Sequence, residues 1–150
     1  MIESLYPPVS FHFRVDVLQL GSGGVDARFQ EVTGLTHEVQ IEELAEGGEN
    51  RFVHRLPGRA RYGNLVLKRG FAMGSKLHDW CERAIGALDI DPKTVTVSLL
   101  NEAHAPLATW RFEGAYPVKY AVSDFKAQEN AMSIETLELA YRRFTRGTLP

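Results

Sequence analysis

Short runs of alternating apolar and polar residues recur along the chain, and only one segment repeats its apolar residues with a helical period. The clearest run spans Thr94 to Leu100, where Val95, Val97 and Leu99 alternate with threonine and serine. This period of two is typical of a strand with one buried face. The pattern predicts a mainly β fold, an antiparallel β-sandwich or barrel-like structure with one flanking α-helix and a long extended loop.

The other predicted strands are bounded by turn residues such as glycine and proline. We place them at about 11–20, 27–32, 37–44, 64–69, 107–112, 116–122 and 130–144. The strands near 27–32 and 37–44 are expected to be half buried. The last strand is expected to be long and unbroken, and the mixed polarity of both its faces predicts that neither face is fully buried.

The predicted helix begins after Ser75, a residue type favoured at the N-cap, and ends at Gly86. Its apolar residues recur at spacings of three and four, which places them on one face. They are Leu77, Trp80, Cys81, Ala84 and Ile85. We expect this face to pack on a sheet.

Length and charge limit the classes of protein to which the chain can belong. Its 150 residues are near the size of one compact domain, and no linker or repeat divides residues 1–150. Lys and Arg total 17 against 19 Asp and Glu, which argues against avid DNA binding by a free monomer. The single cysteine, Cys81, excludes a disulfide within the chain. The sequence shows neither a secretion signal nor a membrane-length apolar run, so we expect synthesis in the cytoplasm and no membrane insertion by this chain alone.

Candidate catalytic and ligand-binding motifs are incomplete. The segment from Gly70 to Lys76 resembles a phosphate-binding loop, but it has three residues between its glycines instead of four, and Leu77 stands where a hydroxyl is needed. His78 and Cys81 have the spacing of a base and a thiol, but Cys81 lies on the apolar stripe of the helix. The five histidines lack the spacing of a metal cluster. We therefore expect no enzyme, no cofactor and no metal, and a small phosphate- or nucleotide-binding β-barrel is the alternative.

The segment from about 45 to 63 has no clear period, and a stretch of this length without structure in a compact domain is usually functional. Acidic residues cluster before it and within its first half, basic residues follow, and apolar residues lie among them. An apolar patch rimmed by charge is typical of a protein contact surface, although the segment could also fold onto its own domain. The predicted contact residues are Glu42, Glu43, Glu46, Asn50, Arg51, Phe52, Leu56, Pro57, Arg59, Arg61 and Tyr62.

A set of short segments, fixed in order and spacing, covers most of the chain. They are Arg28 to Leu35, Gly47 to Asn50, Leu56 to Gly58, Arg61 to Gly70, Thr109 to Trp110, Tyr116 to Tyr120 and Ile134 to Leu139, together with Trp80. In this order they resemble the tail-tube proteins of contractile-tailed phages and the inner-tube proteins of extracellular contractile injection systems.

The resemblance implies a structural inner-tube subunit whose segment at 45–63 is an assembly arm. Six copies would close into a ring, and rings would stack into a hollow conduit inside a contractile sheath. The implied partners are a sheath protein, baseplate and tube-terminating proteins, and DNA or protein cargo in the lumen of a virion tail or extracellular injection particle. A tube-initiating or baseplate-joining paralogue is an alternative. The long last strand is the candidate channel wall, and its lumen candidates are Ser133, Glu135, Thr136 and Glu138.

Overall fold

The computed structural model describes residues 12–18, 20, 28–45, 47–48, 53–71, 75–123 and 133–147. These residues form ten strands and one helix. The elements are β1 (His12–Val17), β2 (Arg28–Phe29), β3 (Glu31–Thr33), β4 (His37–Leu44), β5 (His54–Tyr62), β6 (Leu65–Gly70), α1 (Lys76–Gly86), β7 (Lys93–Leu100), β8 (Pro106–Val122), β9 (Ile134–Ala140) and β10 (Arg143–Gly147).

Eight strands form one antiparallel sheet in the order β2-β1-β7-β8-β9-β6-β3, with β10 also paired to β8. The 17-residue strand β8 belongs to both halves of this sheet, because its first half pairs with β7 and β10 and its second half pairs with β9. We call the half made of β3, β6, β9 and the second half of β8 the four-stranded wall. The predicted mainly β, antiparallel fold with one helix is confirmed.

The core lies where the two halves of the sheet and α1 meet. Alternate residues of each strand point into it, such as Leu65 and Leu67 on β6 and Val95 and Val97 on β7, and none of these four is exposed. Each such side chain contributes about 1.5–3 kcal/mol by leaving water. The ring of Phe112 on β8 is also fully buried and joins the same cluster.

The helix begins and ends close to where the sequence predicts. Ser75 is the N-cap, and its side chain accepts a hydrogen bond from the backbone N–H of His78. Leu77, Trp80, Cys81 and Ala84 are buried, as the apolar stripe predicts. Ile85 is instead 40% exposed, because it lies at the edge of the stripe in the last turn.

Four predicted strands are divided or joined differently in the structure. The strand expected at 27–32 is two short strands, β2 and β3, which pair with β1 and β6 respectively. The separate strands expected at 107–112 and 116–122 are one strand, β8, in which Gly114 bends the backbone with a φ of 65° without ending the pairing. The single strand expected at 130–144 is two strands, β9 and β10, separated by residues 141–142. The core-facing side of β9 carries Glu135, Leu137 and Leu139, all buried, so the expectation that neither face is buried is wrong.

The predicted loop at 45–63 differs in a way that matters for function. Its second half is β5, which pairs with β4 to form an extended two-stranded hairpin over His37–Tyr62, here called the arm hairpin. All eight residues of β4 are exposed, so the expected half burial of that strand is wrong. A strand that covers no core needs no alternation, and β5 also contains Pro57 and Gly58 beside a β-bulge. These features hide its strand character in the sequence.

Gly34 lies between β3 and β4 with a φ of 88°, and a Cβ atom there would overlap the backbone oxygen of Asn64. Gly34→Ala is expected to lower the free energy of unfolding by at least about 2 kcal/mol, because the left-handed backbone and the overlap both oppose the methyl group. Urea unfolding followed by circular dichroism measures the change. Gly86→Ala is the control, because a Cβ atom there meets nothing within 4 Å and alanine favours a helix. An equal loss in both variants would contradict this account.

Candidate assembly surfaces

One face of the arm hairpin carries apolar side chains that the subunit does not cover. The register places Val39 opposite Ala60 and Ile41 opposite Pro57, so these four side chains share a face. Val39 and Ile41 are each 52% exposed. A two-stranded hairpin with so little buried apolar area is only marginally stable alone. Its apolar face is therefore available to a partner.

The acidic and basic blocks of the sequence lie side by side in the arm hairpin. Glu38 is opposite Arg61, and Glu43 is opposite Arg55. Opposite charges directly across two strands stabilise their pairing modestly. The two blocks thus face each other within one subunit.

Aromatic rings join the base of the arm hairpin to the core. Tyr62, the cross-strand partner of His37, has its ring centroid 5.6 Å from that of Phe144 and 5.9 Å from that of Tyr141. Phe144 is buried and packs on Phe112 at 5.3 Å. Edge-to-face contacts of this kind stabilise beyond the area that they bury. The direction in which the hairpin leaves the body is therefore fixed at its base.

The outward face of the four-stranded wall consists of rows of paired side chains. Cross-strand pairing gives one row of Glu31, Lys68, Thr136 and Ala121, and a second row of Thr33, Val66, Glu138 and Lys119. Each row places an acidic residue directly opposite a lysine on the neighbouring strand. A groove of about 730 Å³, lined by residues of all four strands, crosses this face at one end. The face is therefore concave there, mixed in charge and close to neutral.

One edge of the wall is the second half of β8. The backbone N–H of Ser123 donates to the carbonyl of Ile134 on β9. Because hydrogen-bonding direction alternates along an antiparallel strand, the N–H and C=O groups of Tyr120 and Val122 point away from β9. They lie along the edge of the wall.

The other edge is β3. The N–H of Phe71, just after β6, donates to the carbonyl of Ser133, next to β9. Because hydrogen-bonding direction alternates along β6, every second residue of β6 bonds to β9 and the residues between them bond to β3. The same alternation along β3 leaves the N–H and C=O of Val32 pointing away from β6. Every neighbouring pair in the wall is antiparallel, so β3 and β8 run in opposite directions. The wall thus has two edges of opposite direction, each with backbone groups directed outwards.

A buried ion pair holds the strands of the wall together. Arg69 Nε donates to Glu135 Oε2 at 2.9 Å, and the two side chains are 4% and 3% exposed. Arg69 Nη2 also donates to Ser75 Oγ at 2.8 Å, and the Tyr120 hydroxyl donates to Glu135 Oε1 at 2.9 Å. Buried charges are tolerated when they are paired and their remaining hydrogen bonds are satisfied. This network joins β6, β9, β8 and the N-cap of α1.

Cys81 lies beside this network, and its thiol is buried. Burial raises the pKa of its thiol to about 12, and the negative charge of Glu135 acts in the same direction. A thiol with this pKa stays protonated at neutral pH, whereas the nucleophile is the thiolate. The ring of His78 packs instead on Tyr120, with centroids 4.9 Å apart. The geometry does not favour a catalytic pair.

The predicted contact residues that the structure describes all lie on the arm hairpin. They are Glu42, Glu43, Leu56, Pro57, Arg59, Arg61 and Tyr62, of which only Tyr62 is not exposed. Glu46, Asn50, Arg51 and Phe52 lie outside the described residues, as do the three central residues of the segment that resembles a phosphate-binding loop. A role of this set in subunit contact stays a prediction.

The four lumen candidates separate into two pairs. Ser133 and Glu135 are 8% and 2% exposed within the subunit, so their predicted position on a lumen is wrong. Thr136 and Glu138 lie on the outward face of the wall and remain candidates. Sequence reasoning missed the partner of Glu135, Arg69. The sequence does carry a signal for the burial of Arg69, because Arg69 lies two residues after Leu67 and therefore on the same face of the strand.

Across the described ranges, no group of three or more His, Cys, Asp or Glu side chains could hold a metal ion. The helix of the structure is too short and too polar to span a membrane.

The chain is similar over almost its whole length to proteins of contractile particles. Residues 9–145 match the profile of the family described as T4-like virus tail tube protein gp19. A chain in the structure of the anti-feeding prophage (AFP) baseplate is 30% identical, with a TM-score of 0.77 and an alignment covering 94% of this chain and 95% of that chain.

Two further structures extend the comparison. A chain of the sheath-tube complex of PVC, an extracellular contractile injection system in its extended state, is 27% identical, with a TM-score of 0.74 over 99% of this chain and 96% of that chain. Hcp1 from Flavobacterium johnsoniae is 17% identical, with a TM-score of 0.54 over 91% and 94%, and shares the fold. No curated protein sequence matches at a significant level.

Glu135→Gln tests the buried ion pair, because it keeps the size of the side chain and removes the charge that faces Arg69. Loss of the carboxylate charge that faces the buried guanidinium of Arg69 is expected to lower the free energy of unfolding by about 3–5 kcal/mol, measured by urea unfolding. Glu138→Gln is the matched control on the outward face of the same strand, where its carboxylate accepts a hydrogen bond from Asn64. We expect a loss below about 1 kcal/mol there. Similar losses in the two variants would argue against the ion pair.

The raised pKa values of Cys81 and Tyr120, both about 12 and both caused mainly by burial, predict loss of stability in alkali. An unfolded thiol ionises near pH 9.0, so above that pH the unfolded state releases a proton that the folded state keeps. The free energy of unfolding should be steady up to about pH 8.5 and then fall, with a slope of at most ~1.4 kcal/mol per pH unit from the thiol.

Cys81→Ala separates the contribution of the thiol from that of the tyrosine. The variant loses packing at every pH, but its free energy of unfolding should fall less steeply between pH 9 and 10 than that of the wild type. Urea unfolding at half-unit pH steps measures both slopes. Identical slopes would remove Cys81 as a source of the alkaline effect.

Proposed function

Since the chain belongs to the T4-like virus tail tube protein gp19 family and is a structural tube subunit, we propose that six copies close into a ring and that rings stack into a hollow conduit. The resemblance inferred from the sequence is confirmed by the family match. Its relatives occur in a baseplate, a sheath-tube complex and a tube-terminating cap. We infer that this conduit lies inside a contractile sheath, is joined to a baseplate and is closed by a terminating protein.

The observation that carries ring closure is the pair of opposite edges on the four-stranded wall. In a ring, all subunits point the same way along the axis, so β3 of one subunit can lie beside the second half of β8 of the next. These two strands run in opposite directions. Their pairing would therefore continue the antiparallel pattern from subunit to subunit without a break. It would also remove the exposed edges, which are otherwise an aggregation hazard.

The size of the resulting ring suits a conduit. Six walls of about four strands each, spaced ~4.8 Å apart, give a circumference of roughly 115 Å and a diameter of about 37 Å at the strand backbones, which strand tilt widens and inward side chains narrow. Duplex DNA or a small folded protein fits this width. The cargo is therefore DNA or protein.

The outward face of the wall is the surface that we assign to the lumen. Its groove is concave, as the inner surface of a larger cylinder must be. Glu31 faces Lys68 and Glu138 faces Lys119, so the charges of the rows largely cancel. Thr136 and Glu138 would then line the bore. A surface without a strong net charge holds neither nucleic acid nor protein tightly, which suits passage.

The arm hairpin is the surface that we assign to stacking between rings. A stacking interface joins two different surfaces of the same protein and repeats without closing. The exposed side chains of Val39 and Ile41 on one face of the hairpin, and of Leu56 beside Glu42 on the other face, would gain cover from a subunit of the adjacent ring. The aromatic base keeps the direction of the hairpin fixed. The partner that covers the arm hairpin is therefore another copy of this chain.

This role requires no chemical step, and we propose that the chain is not an enzyme. It would be made in the cytoplasm and would act in a virion tail or an extracellular injection particle. A subunit that stops after one ring would instead be a tube-initiating or baseplate-joining paralogue, and the length of the assemblies distinguishes the two.

Val32→Pro tests ring closure. Proline removes the N–H that β3 directs away from β6, so the variant should remain a folded monomer and form no rings. Negative-stain electron microscopy of the wild type should show six-fold rings and tubes, and circular dichroism checks the fold of the variant. Val32→Thr is the matched control, since it keeps both the N–H and the β-branched shape. A wild-type protein that stays monomeric at high concentration would overturn the proposal.

Leu56→Glu tests stacking. Leu56 is 46% exposed on the arm hairpin, so the charge should cost the folded subunit little yet oppose its burial between rings. We expect rings but few or short tubes by electron microscopy. Ile85→Glu is the control, because Ile85 is 40% exposed on the helix, away from the hairpin. Tubes of normal length from Leu56→Glu would refute the assignment.

A further inference from the structure

We propose that His12 and His104 form a two-histidine site for a divalent transition metal, with Cu²⁺ or Ni²⁺ favoured. His12 is the first residue of β1, and His104 lies in the turn between β7 and β8. His12 Nε2 and His104 Nδ1 are 2.8 Å apart, and the ring centroids are separated by 4.7 Å. His104 is exposed and His12 is half-buried, so an ion can reach both nitrogens from solvent.

The spacing of the two nitrogens suits ligands of one metal ion. Histidine nitrogens bind at about 2.0–2.1 Å, so two such bonds at a right angle place the nitrogens about 2.9 Å apart. A tetrahedral ion would hold them about 3.3 Å apart with the same bond lengths. Right-angle arrangements are typical of Cu(II) and Ni(II) with nitrogen and oxygen ligands. In the metal-free pair each facing nitrogen is directed at the other through their hydrogen bond, so both rings must turn, by roughly 45° for a right-angle site, before the two lone pairs meet at one ion.

The turn that carries His104 is held in place by its own hydrogen bonds. Asn101 Oδ1 accepts from the backbone N–H groups of Ala103 and Ala105, each at 2.9 Å. His104 itself has a φ of 61°, a left-handed conformation that few residues other than glycine adopt. The turn between β7 and β8 therefore fixes the backbone from which the exposed His104 side chain projects. On the other side, His12 is held in register opposite Leu100.

Both imidazoles would bind as neutral rings. In the absence of metal, the proton between the rings sits on one of the two facing nitrogens. When the ion binds, that ring changes tautomer and carries its proton on its other nitrogen. His12 then coordinates through Nε2 and His104 through Nδ1, and no net proton is released. Among the described residues, no third His, Cys, Asp or Glu side chain joins these two histidines as a ligand, so water fills the remaining coordination positions.

Metal binding would link the start of β1 to the turn between β7 and β8. An ion that binds the folded chain and not the unfolded chain raises stability by mass action. This consequence concerns the single subunit, so it is independent of ring closure and stacking, and its failure would leave the proposed tube role untouched.

Isothermal titration calorimetry of the untagged protein with NiCl₂, and separately with CuCl₂, tests the site. We expect one ion per chain for the wild type. His104→Asn keeps a residue type that tolerates the left-handed backbone, and His12→Gln keeps a polar side chain on β1. Each should weaken binding at least about tenfold, because a lost ligand costs no less than a lost outer-shell partner. His54→Ala, which removes a histidine of the arm hairpin, is the control and should bind as the wild type does.

Two further measurements make the outcome decisive. Ni²⁺ should raise the thermal unfolding midpoint of the wild type and of His54→Ala, but not that of either pair variant. The electron paramagnetic resonance spectrum of bound Cu²⁺ should show coupling to two histidine nitrogens. Equal affinity in all four proteins, or no bound ion in the wild type, would overturn the proposal.

Discussion

The buried contact between Arg69 and Glu135 is the interaction on which the four-stranded wall depends. Each of these charged side chains stands at a core-facing position of its strand, and neither would be tolerated there without the other. The two meet only when β6 and β9 pair in a single register, because a slip by one residue would turn one of them outwards. The same carboxylate accepts from Tyr120, and the same guanidinium donates to the N-cap of α1. Helix and wall are therefore positioned together, and the edge of β8 is fixed by the side chain of Tyr120 on the inner face.

Two regions of the described part of the subunit carry groups that the subunit itself does not cover or pair. The arm hairpin exposes apolar side chains on strands that cover no core, and the two edges of the wall direct backbone groups outwards. A lone soluble protein normally blunts or covers such features. In the tube that we propose, the same features would become the contacts between subunits. A single chain therefore leaves apolar side chains and backbone hydrogen-bonding groups without the cover that further copies would supply.

Much of the fold could be predicted from the sequence, because most strands cover a core on one face. The alternation in β7 and the stripe of α1 with its serine cap are examples, and the structure places both close to where the pattern did. The arm hairpin could not be found in this way. Apolar and polar residues alternate only in a strand that buries one face, and β5 buries almost nothing. The burial of one lumen candidate, Glu135, could not be predicted for a related reason. A charged residue looks like a surface residue until its buried partner is known, and Glu135 shares its face with the leucines at 137 and 139.

The opposite directions of β3 and β8 also restrict how a tube of this kind can change during evolution. Gain or loss of one strand per subunit would make the two edges parallel, and the seam between subunits would then need a different hydrogen-bonding pattern. Only whole hairpins can be inserted or deleted without this conflict. In the six-subunit ring that we propose, two extra strands per subunit would widen the circumference by roughly 58 Å, so the diameters of such conduits would differ in discrete steps.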